Sequence, residues 1–272
     1  MKTAELFDVG GLATIVTGAA SGIGLAIAGA MAENGARVTL MDKDGRALAD
    51  AVAMLAGRGG EVRGDVVDVT DRTQLNRAFD SAARHYGRLD VVFANAGMGG
   101  GPGFLGLDGK RNPAGAIEAI APEVWERLIA LNLTAVFSTI QAAARLMKGQ
   151  GGGRIIVTGS ISSFKTELSV GTPYVAAKAG VAQLVRQAAH ELAGYGILVN
   201  AIAPGPVVTN ISGGRLQDPA IQAHFARAAP THRLGRTEDI EGVALFLAAP
   251  ASRHVTGAQI VVDGGASLGP AD

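Results

Sequence analysis

Short apolar runs and longer stretches with helical spacing alternate along this chain. The run "LATIVT" (12–17) is compact and β-branched and ends at Gly18, and the residues after it place Ile23, Ile27 and Met31 four apart. A short apolar run predicts a buried strand, whereas residues four apart share one face of a helix. This stretch therefore predicts a strand, a glycine turn and a helix.

The alternation repeats to the carboxyl end of the chain. Further strands are predicted at 36–42, 61–69, 89–97, 153–160, 197–205 and 258–265. Helices are predicted at 23–35, 45–59, 71–87, 122–147, 173–196 and 238–250. Right-handed crossovers place helices on both faces of a parallel sheet. Since no polar or proline-rich linker divides the chain, we predict one α/β domain over residues 1–272, a doubly wound parallel sheet of seven strands.

Two long segments, 98–121 and 206–237, show no regular period, and each follows a predicted strand. Ligands of open α/β sheets bind at the carboxyl ends of the strands, and irregular segments of this length are usually functional. We therefore expect both segments to be loops on the substrate side of the sheet.

The stretch from Val9 to Ala32 carries no charged side chain and is long enough to cross a bilayer. It also contains Thr14, Thr17, Ser21 and several glycines, which a membrane helix would not usually combine in one span. The strand–turn–helix interpretation is therefore preferred, and no membrane association is expected.

Composition excludes several other classes of protein. The 24 basic and 24 acidic side chains balance, so no general attraction to nucleic acid is expected. The absence of cysteine excludes disulfides and thiolate metal sites, and the five histidines lack metal-binding spacing, so no metal is predicted. The first residues mix Lys2 with Glu5 and Asp8, unlike a secretory leader, and a cytoplasmic location is expected.

The turn "TGAASGIG" places Gly18, Gly22 and Gly24 between the first strand and its helix. Glycine permits a tight turn and lets the backbone approach a pyrophosphate, whose charge the amides at the helix start would bind. Asp42 ends the second strand, where a carboxylate can bind a ribose diol and repel a 2′-phosphate, which favours NAD over NADP. A glycine packing turn and a strand-end turn residue are the alternatives, and the neighbouring Lys43 could tolerate a phosphate.

Tyr174 and Lys178 lie four apart on a predicted helix, hence on one face. A phenol is a poor base at neutral pH, and a nearby ammonium would favour its ionised form. The pair is therefore a candidate general acid/base, with an ordinary pair of helix neighbours as the alternative.

Several motifs, taken in order, resemble those of the short-chain dehydrogenase/reductase family. They are "TGAASGIG" (17–24), "DVTD" (68–71), "ANAG" (94–97), "NLTAVF" (132–137), "GRIIVTGS" (153–160), "YVAAK" (174–178), "PGPVVT" (204–209) and "VDGG" (262–265). The resemblance covers almost the whole chain. It implies a Rossmann-type fold and hydride transfer between NAD(H) and a secondary alcohol or ketone.

The resemblance also implies a catalytic tetrad of Asn132, Ser160, Tyr174 and Lys178. Tyr174 would exchange a proton with the substrate oxygen, Ser160 would hydrogen-bond that oxygen, and Lys178 would lower the pKa of the tyrosine and bind the nicotinamide ribose. Asn132 would hold a water in a proton relay. The implied cofactor contacts are Gly18, Ser21, Gly22, Ile23, Gly24, Asp42, Asp68, Val69, Asn95, Ala96, Gly97, Tyr174, Lys178, Pro204, Gly205, Val207 and Thr209.

Two positions depart from the family pattern. Ala94 stands where many relatives have asparagine, and Ser160 lies fourteen residues before Tyr174, one more than the commonest spacing. Ser162 and Ser163 are therefore competitors for the serine role. Ser160 is preferred because "GRIIVTGS" aligns without a gap to the strand that carries this serine.

The substrate stays open at this point between a polyol or sugar, a hydroxy acid, a 3-oxoacyl thioester and a steroid-like alcohol. A thioester reductase of the same family and a non-catalytic nucleotide-binding protein are the alternative functions. Relatives pair through two long helices, here about 122–148 and 173–195, which implies that the enzyme is a homotetramer or a homodimer. Its other expected partner is a small-molecule substrate.

Overall fold

The protein is built on one parallel sheet of seven strands, as its alternating pattern predicts. A computed structural model describes residues 2–269, without the side chains of residues 211, 212 and 215. The strands are β1 (Ala13–Thr17), β2 (Arg37–Asp42), β3 (Glu61–Val66), β4 (Val91–Ala94), β5 (Gly153–Thr158), β6 (Ile197–Pro204) and β7 (Gln259–Val262). Their spatial order is β3-β2-β1-β4-β5-β6-β7, and every pair is parallel.

Helices connect the strands over both faces of the sheet. They are α1 (Thr3–Leu6), α2 (Gly22–Glu33), α3 (Gly45–Gly57), α4 (Arg72–Tyr86), α5 (Pro122–Ile129), α6 (Ala135–Met147), α7 (Thr172–Leu192), α8 (Ile211–Gly214), α9 (Pro219–Ala228) and α10 (Glu238–Ala248). The Asp44 and Asp71 carboxylates cap α3 and α4 by accepting from the first free backbone N–H groups.

Alternate strand residues supply two separate hydrophobic layers, because successive side chains of a strand point to opposite faces. Ile15 and Val92 belong to the layer beneath α4, α6 and α7. Val16 and Phe93 belong to the layer beneath α2, α3 and α10. Covering both faces explains why the strands are nearly continuous apolar runs.

The uncharged stretch near the amino end forms β1 and α2, two separate elements, so it is not a single membrane-spanning helix. The helix over 122–150 is long and apolar enough to cross a membrane by length and composition alone. Over half of its most apolar window, 56%, is buried inside the protein, which is usual for a core helix.

Two features differ from the sequence-based prediction. The predicted helix 122–147 contains a π-helical turn, Ala130–Thr134, between α5 and α6. The segment 206–237, predicted to be irregular, contains α8 and α9. Helix α9 buries none of its residues, and its apolar pattern, Ile221 and Phe225 four apart, is too short to predict a helix.

Candidate active site

The turn between β1 and α2 is closed by backbone contacts that only glycine permits. Gly18 has φ +64°, and a Cβ placed on it would lie 2.8 Å from the Cα of Ala96. A Cβ on Gly24 would lie 2.1 Å from the main-chain oxygen of Gly18. The tight turn predicted from the sequence is therefore present, and it brings the start of α2 against the end of β4.

The amino end of α2 is open to a ligand. Ser21 is the exposed N-cap residue, and its side chain makes no capping hydrogen bond. Gly22 and Ile23 follow in the first turn and are partly exposed. The free N–H groups and the dipole of this twelve-residue helix favour an anion. These residues fit the pyrophosphate of a dinucleotide.

Asp42 stands beside the glycine turn at the end of β2. Its Oδ2 accepts from the backbone N–H of Ala20 at 3.1 Å, and its Oδ1 accepts from the N–H of Asp44 at 3.1 Å. The backbone thus orients the carboxylate while its remaining lone pairs stay available for a ribose diol.

Asp68 and Val69 follow β3 on the same edge. The Asp68 carboxylate accepts from the Thr70 hydroxyl at 2.6 Å and the Thr70 N–H at 2.9 Å, and these bonds hold its pKa below the usual value. Lys43 lowers that pKa further by its charge. Val69 is buried at the edge of the core beside this turn.

Asn95 joins the ends of three strands. Its Nδ2 donates to the main-chain oxygens of Thr17 and Gly18, at 3.1 and 3.2 Å, and its Oδ1 accepts from the Thr158 hydroxyl at 2.9 Å. The Ala96 N–H donates to the Thr17 hydroxyl at 3.1 Å. The Asn95 side chain is thus engaged in holding the edge together, leaving contact with a ligand to the backbone of this segment.

The segment after β6 returns toward the glycine turn. Pro204 ends the strand, and the Gly205 N–H donates to the Val262 oxygen at 3.0 Å. Val207 is buried and bridges Gly235. Thr209 lies next to Gly22, since a Cβ on that glycine would approach the Thr209 side chain to 3.4 Å. Thr209 thus places the end of this segment against the start of α2.

The predicted catalytic side chains meet where β5 ends and α7 begins. Ser160 is 7% exposed; its hydroxyl accepts from the Ser162 N–H and donates to the Ser162 hydroxyl, both at 3.1 Å. The Ser160 hydroxyl lies close enough to the Tyr174 phenol to lower its pKa, and the Lys178 Nζ lies 5.6 Å from the centroid of the Tyr174 ring. The Lys178 ammonium also donates to the Thr158 oxygen at 2.9 Å.

Asn132 lies in the π-helical turn and is fully buried. Its Oδ1 accepts from the Met98 N–H at 3.2 Å, and its Nδ2 has no hydrogen-bond partner among the described residues. A single π-turn inside a helix often marks a functional position. The unpartnered donor is consistent with the predicted water relay.

Burial dominates the electrostatics of this group. It raises the pKa of the Tyr174 phenol, the Ser160 hydrogen bond opposes that rise, and the charge of Glu167 adds to it. It also lowers the pKa of Lys178 to about 8. The sequence leads us to expect a lowered tyrosine pKa, and the structure differs because desolvation of the phenol is the largest influence.

Glu167 is a residue that the motifs do not identify. Its carboxylate is partly buried, which raises its pKa, and Lys165 opposes that rise. It belongs to the loop between Ser160 and Tyr174, where the sequence has no periodic pattern that would indicate a functional residue. Only its effect on Tyr174 reveals it.

The loop 98–121 packs on the start of α7 by close backbone contact. A Cβ on Gly100 would lie 2.5 Å from the Tyr174 Cβ, and one on Gly115 would lie 1.9 Å from the Gly103 oxygen. The Leu105 N–H donates to the Leu168 oxygen at 3.0 Å. The loop is therefore layered on the segment that precedes Tyr174. Residues 2–269 contain no cluster of three or more His, Cys, Asp or Glu side chains that could hold a metal ion.

Comparison with known proteins places the chain among dehydrogenases. The family model described as Enoyl-(Acyl carrier protein) reductase matches residues 18–267. The chain is 33% identical over 262 residues to D-threitol dehydrogenase of Mycolicibacterium smegmatis, covering 96% of this chain and 95% of that protein. It is 36% identical to L-rhamnose 1-dehydrogenase (NAD(P)(+)) of Azotobacter vinelandii, covering 92% and 94%.

Solved structures give the same result. A crystal structure of a short-chain type dehydrogenase/reductase from Mycobacterium marinum superposes with a TM-score of 0.87. The two chains are 34% identical, and the match covers 97% of this chain and 99% of the other. The similarity therefore extends over the sheet, both helical layers and the two long loops.

Proposed function

Because the chain belongs to the short-chain dehydrogenase/reductase family, we propose that Tyr174 is its general acid/base and that NAD is its cofactor. The chain is an oxidoreductase that acts on alcohols or ketones. The observation that carries the proposal is the meeting of Ser160, Tyr174 and Lys178 at the edge of the sheet that also holds the glycine turn.

In this proposal each side chain acts on the reacting oxygen or its proton. With substrate bound, the Ser160 hydroxyl turns its proton from Ser162 to the substrate oxygen and fixes that oxygen beside the phenol, where the charge changes during the reaction. Tyr174 removes the hydroxyl proton in oxidation and returns it in reduction. The Lys178 ammonium stabilises the phenolate, and Asn132 Nδ2 binds the water through which the proton leaves. A bound nicotinamide supplies the hydride chemistry.

The choice of NAD rests on Asp42. A carboxylate oriented toward the start of α2 accepts hydrogen bonds from a ribose diol and repels the 2′-phosphate of NADP. Asp68 and Val69 would border the adenine, and Pro204, Gly205, Val207 and Thr209 the nicotinamide. Lys43 lies close enough to Asp68 to lower the pKa of the Asp68 carboxylate, so the charge of Lys43 is already partly neutralised.

For the substrate we propose an uncharged polyol or sugar with a secondary alcohol. D-threitol and L-rhamnose, the substrates that the two relatives are named for, are of this class. Glu167 supports the choice, because a partly buried carboxylate near Tyr174 accepts hydrogen bonds from neighbouring hydroxyl groups and repels an anionic substrate. The loops 98–121 and 206–237 would enclose the polyol or sugar substrate within the single domain.

We further propose a cytoplasmic homotetramer or homodimer. The helical segment 122–147 leaves Val124, Trp125 and Phe137 more than a third exposed, as expected for a surface that pairs with another subunit. The lack of cysteine is compatible with a reducing compartment.

A screen of alcohols and ketones tests the function. Purified protein is mixed with NAD and a panel of polyols, sugars, hydroxy acids and hydrophobic secondary alcohols, and the absorbance of the reduced nicotinamide is followed. We expect turnover with neutral polyols or sugars and slower turnover with hydroxy acids. No turnover with any alcohol or ketone, with either NAD or NADP, would refute the proposal.

A further inference from the structure

The turn that carries Ser160 is tied to the last strand of the sheet. Gln259, the first residue of β7, donates from Nε2 to the Ser163 hydroxyl at 2.7 Å. The Ser163 hydroxyl donates in turn to the main-chain oxygen of Ser160 at 2.6 Å. These two hydrogen bonds connect the edge strand to Ser160.

The Gln259 side chain crosses β6 to reach the turn. Gln259 is opposite Ala201 in the register of β6 and β7. A Cβ on Gly159 would lie 3.8 Å from the Ala201 Cβ and 3.9 Å from Gln259 Oε1. Because Gly159 and Ala201 are small, they leave the space that the Gln259 carboxamide occupies. Gln259 Oε1 is buried without a hydrogen-bond partner in the described residues, so the bond to Ser163 orients this side chain.

The direction of the two bonds follows from the donors present. The Gln259 amide can only donate to Ser163 through its nitrogen, and a serine hydroxyl has one proton to give. That proton goes to the Ser160 oxygen, which also accepts from the Ser163 N–H at 3.1 Å. The backbone of Ser160 is thereby held on one side, while Ser162 holds its hydroxyl on the other.

A second tie fixes the far end of the same turn. The Lys165 Nζ donates to the main-chain oxygen of Ala266 at 2.9 Å. The Asp263 carboxylate orders the turn that presents this oxygen by accepting from the N–H groups of Gly265 and Ser267, both at 2.8 Å. The segment after β5 is thus anchored twice to β7 and the turn that follows it.

We propose that Gln259 and Ser163 are positioning residues that hold the Ser160 hydroxyl beside Tyr174. The pair acts through Ser160 and does not touch the substrate. The inference rests on the catalytic role proposed for Ser160, and it concerns residues that lie outside the tetrad.

Two substitutions of Gln259 separate positioning from packing. A carboxylate at this position can only accept, so in Gln259→Glu the Ser163 proton turns toward it and releases the Ser160 oxygen. Gln259→Leu leaves that proton in place. Measured at the optimal pH of each variant, kcat should fall about tenfold in Gln259→Glu and at most about threefold in Gln259→Leu, with NADH affinity unchanged.

A packing role predicts the reverse order, because glutamate has nearly the shape of glutamine and leucine does not.

The second test measures coupling between Gln259 and Ser163. In a Ser163→Ala background the Gln259→Glu change should cause no further loss of kcat, because the hydroxyl that it redirects is gone. The reverse order of the two variants, or additive losses with Ser163→Ala, would overturn the proposal.

Gln150→Leu is the matched control. The Gln150 carboxamide also ties a turn, by accepting from the Leu89 N–H at 3.1 Å, but it lies at the amino-terminal ends of β4 and β5, away from Ser160. This variant should lose thermal stability without losing kcat. A loss of kcat in Gln150→Leu that equals that of Gln259→Glu would show that the effect is general destabilisation and would also overturn the proposal.

Amide hydrogen exchange keeps this inference separate from the proposed function. Exchange of residues 160–165 in the NADH complex should be faster in Ser163→Ala and Gln259→Glu than in the wild type and in Gln150→Leu. Equal exchange in all four proteins would refute positioning. If the wild type turned over no alcohol, the proposed function would fail, and exchange alone would decide the role of Gln259.

Discussion

Burial shifts the pKa values of both Tyr174 and Lys178 away from their ordinary values. Burial raises the pKa of the phenol and lowers that of the ammonium to about 8. Each change opposes the phenolate–ammonium pair that the proposed mechanism requires. In that mechanism the neighbouring Ser160 hydroxyl and the positive charge of a bound oxidised nicotinamide would act in the other direction and favour the phenolate.

Glu167→Gln should shift the pH dependence of the reaction. The charge of Glu167 raises the pKa of Tyr174, so its removal lowers that pKa. The midpoint of the pH profile of kcat/KM for alcohol oxidation should move to lower pH. Hydroxy acids should also improve relative to neutral polyols. A Glu118→Gln variant, which alters an exposed glutamate of the 98–121 loop, serves as the control and should change neither property. An unmoved midpoint would show that Glu167 does not act on Tyr174.

Asp42→Ala should narrow the preference for NAD over NADP. The substitution removes the hydrogen-bond acceptor for the ribose diol and the charge that repels a 2′-phosphate, so kcat/KM for NAD should fall and that for NADP should rise. The ratio of the two is the measurement. Asp44→Ala removes the neighbouring helix cap and should lower stability while leaving the ratio unchanged. An unchanged ratio in Asp42→Ala would make Asp42 a turn residue only.

At the scale of elements, glycine brings the 98–121 loop onto the helix that carries Tyr174. Gly115→Ala would place a methyl group 1.9 Å from the Gly103 oxygen, so the loop must rearrange around Gly103, the glycine that packs directly against Leu168. We expect kcat/KM to fall at least about tenfold through loss of substrate positioning, with NADH affinity retained. Gly109→Ala changes a glycine of the same loop with nothing within 4 Å, although its φ of +75° disfavours alanine. It should affect stability more than kcat/KM, and equal activity losses in the two variants would contradict this role for Gly115.

The elements that could be predicted from the sequence are those with strong periodicity. All seven strands and the main helices follow from apolar runs and helical spacing, and the family resemblance is confirmed. The order of the strands required the structure. Helix α9 was not predicted because its apolar pattern, Ile221 and Phe225 four apart, is short. The π-turn at Asn132 was not predicted because its spacing continues that of the flanking helices.

Parts of the site could not be predicted because they depend on contacts between distant segments. The bond from Gln259 to Ser163 joins residues 96 positions apart, and neither belongs to a motif. The serine register also depends on such contacts. Ser160 is the serine that acts on the pKa of Tyr174, and Ser162 bonds the Ser160 hydroxyl, so these contacts support the proposed choice of Ser160.

For the whole molecule, burying Lys178 makes stability depend on pH. Its folded pKa of about 8 lies below the ordinary value of 10.5, so between these values the unfolded chain binds more protons than the folded one. Stability from this group therefore rises with pH from about 8 upward, whereas below pH 8 the full cost of burying the ammonium remains.

Lys178→Met measures this effect. Thermal unfolding of wild type and variant is followed from pH 6 to about pH 9.5, below the range in which tyrosines ionise. The wild type should gain stability relative to the variant as pH passes 8, by a few degrees in Tm. A constant difference between wild type and Lys178→Met would show that Lys178 stays fully charged in the fold.

The proposed function depends on proton transfer by Tyr174, whereas most of the proposed dinucleotide contacts are made by other residues. Tyr174→Phe removes the phenol hydroxyl, and NADH affinity and alcohol turnover are measured on the same preparation. NADH affinity should stay within about threefold of the wild type, whereas kcat should fall by about 10²- to 10⁴-fold. Turnover close to that of the wild type, with NADH bound normally, would contradict the role of Tyr174 as general acid/base.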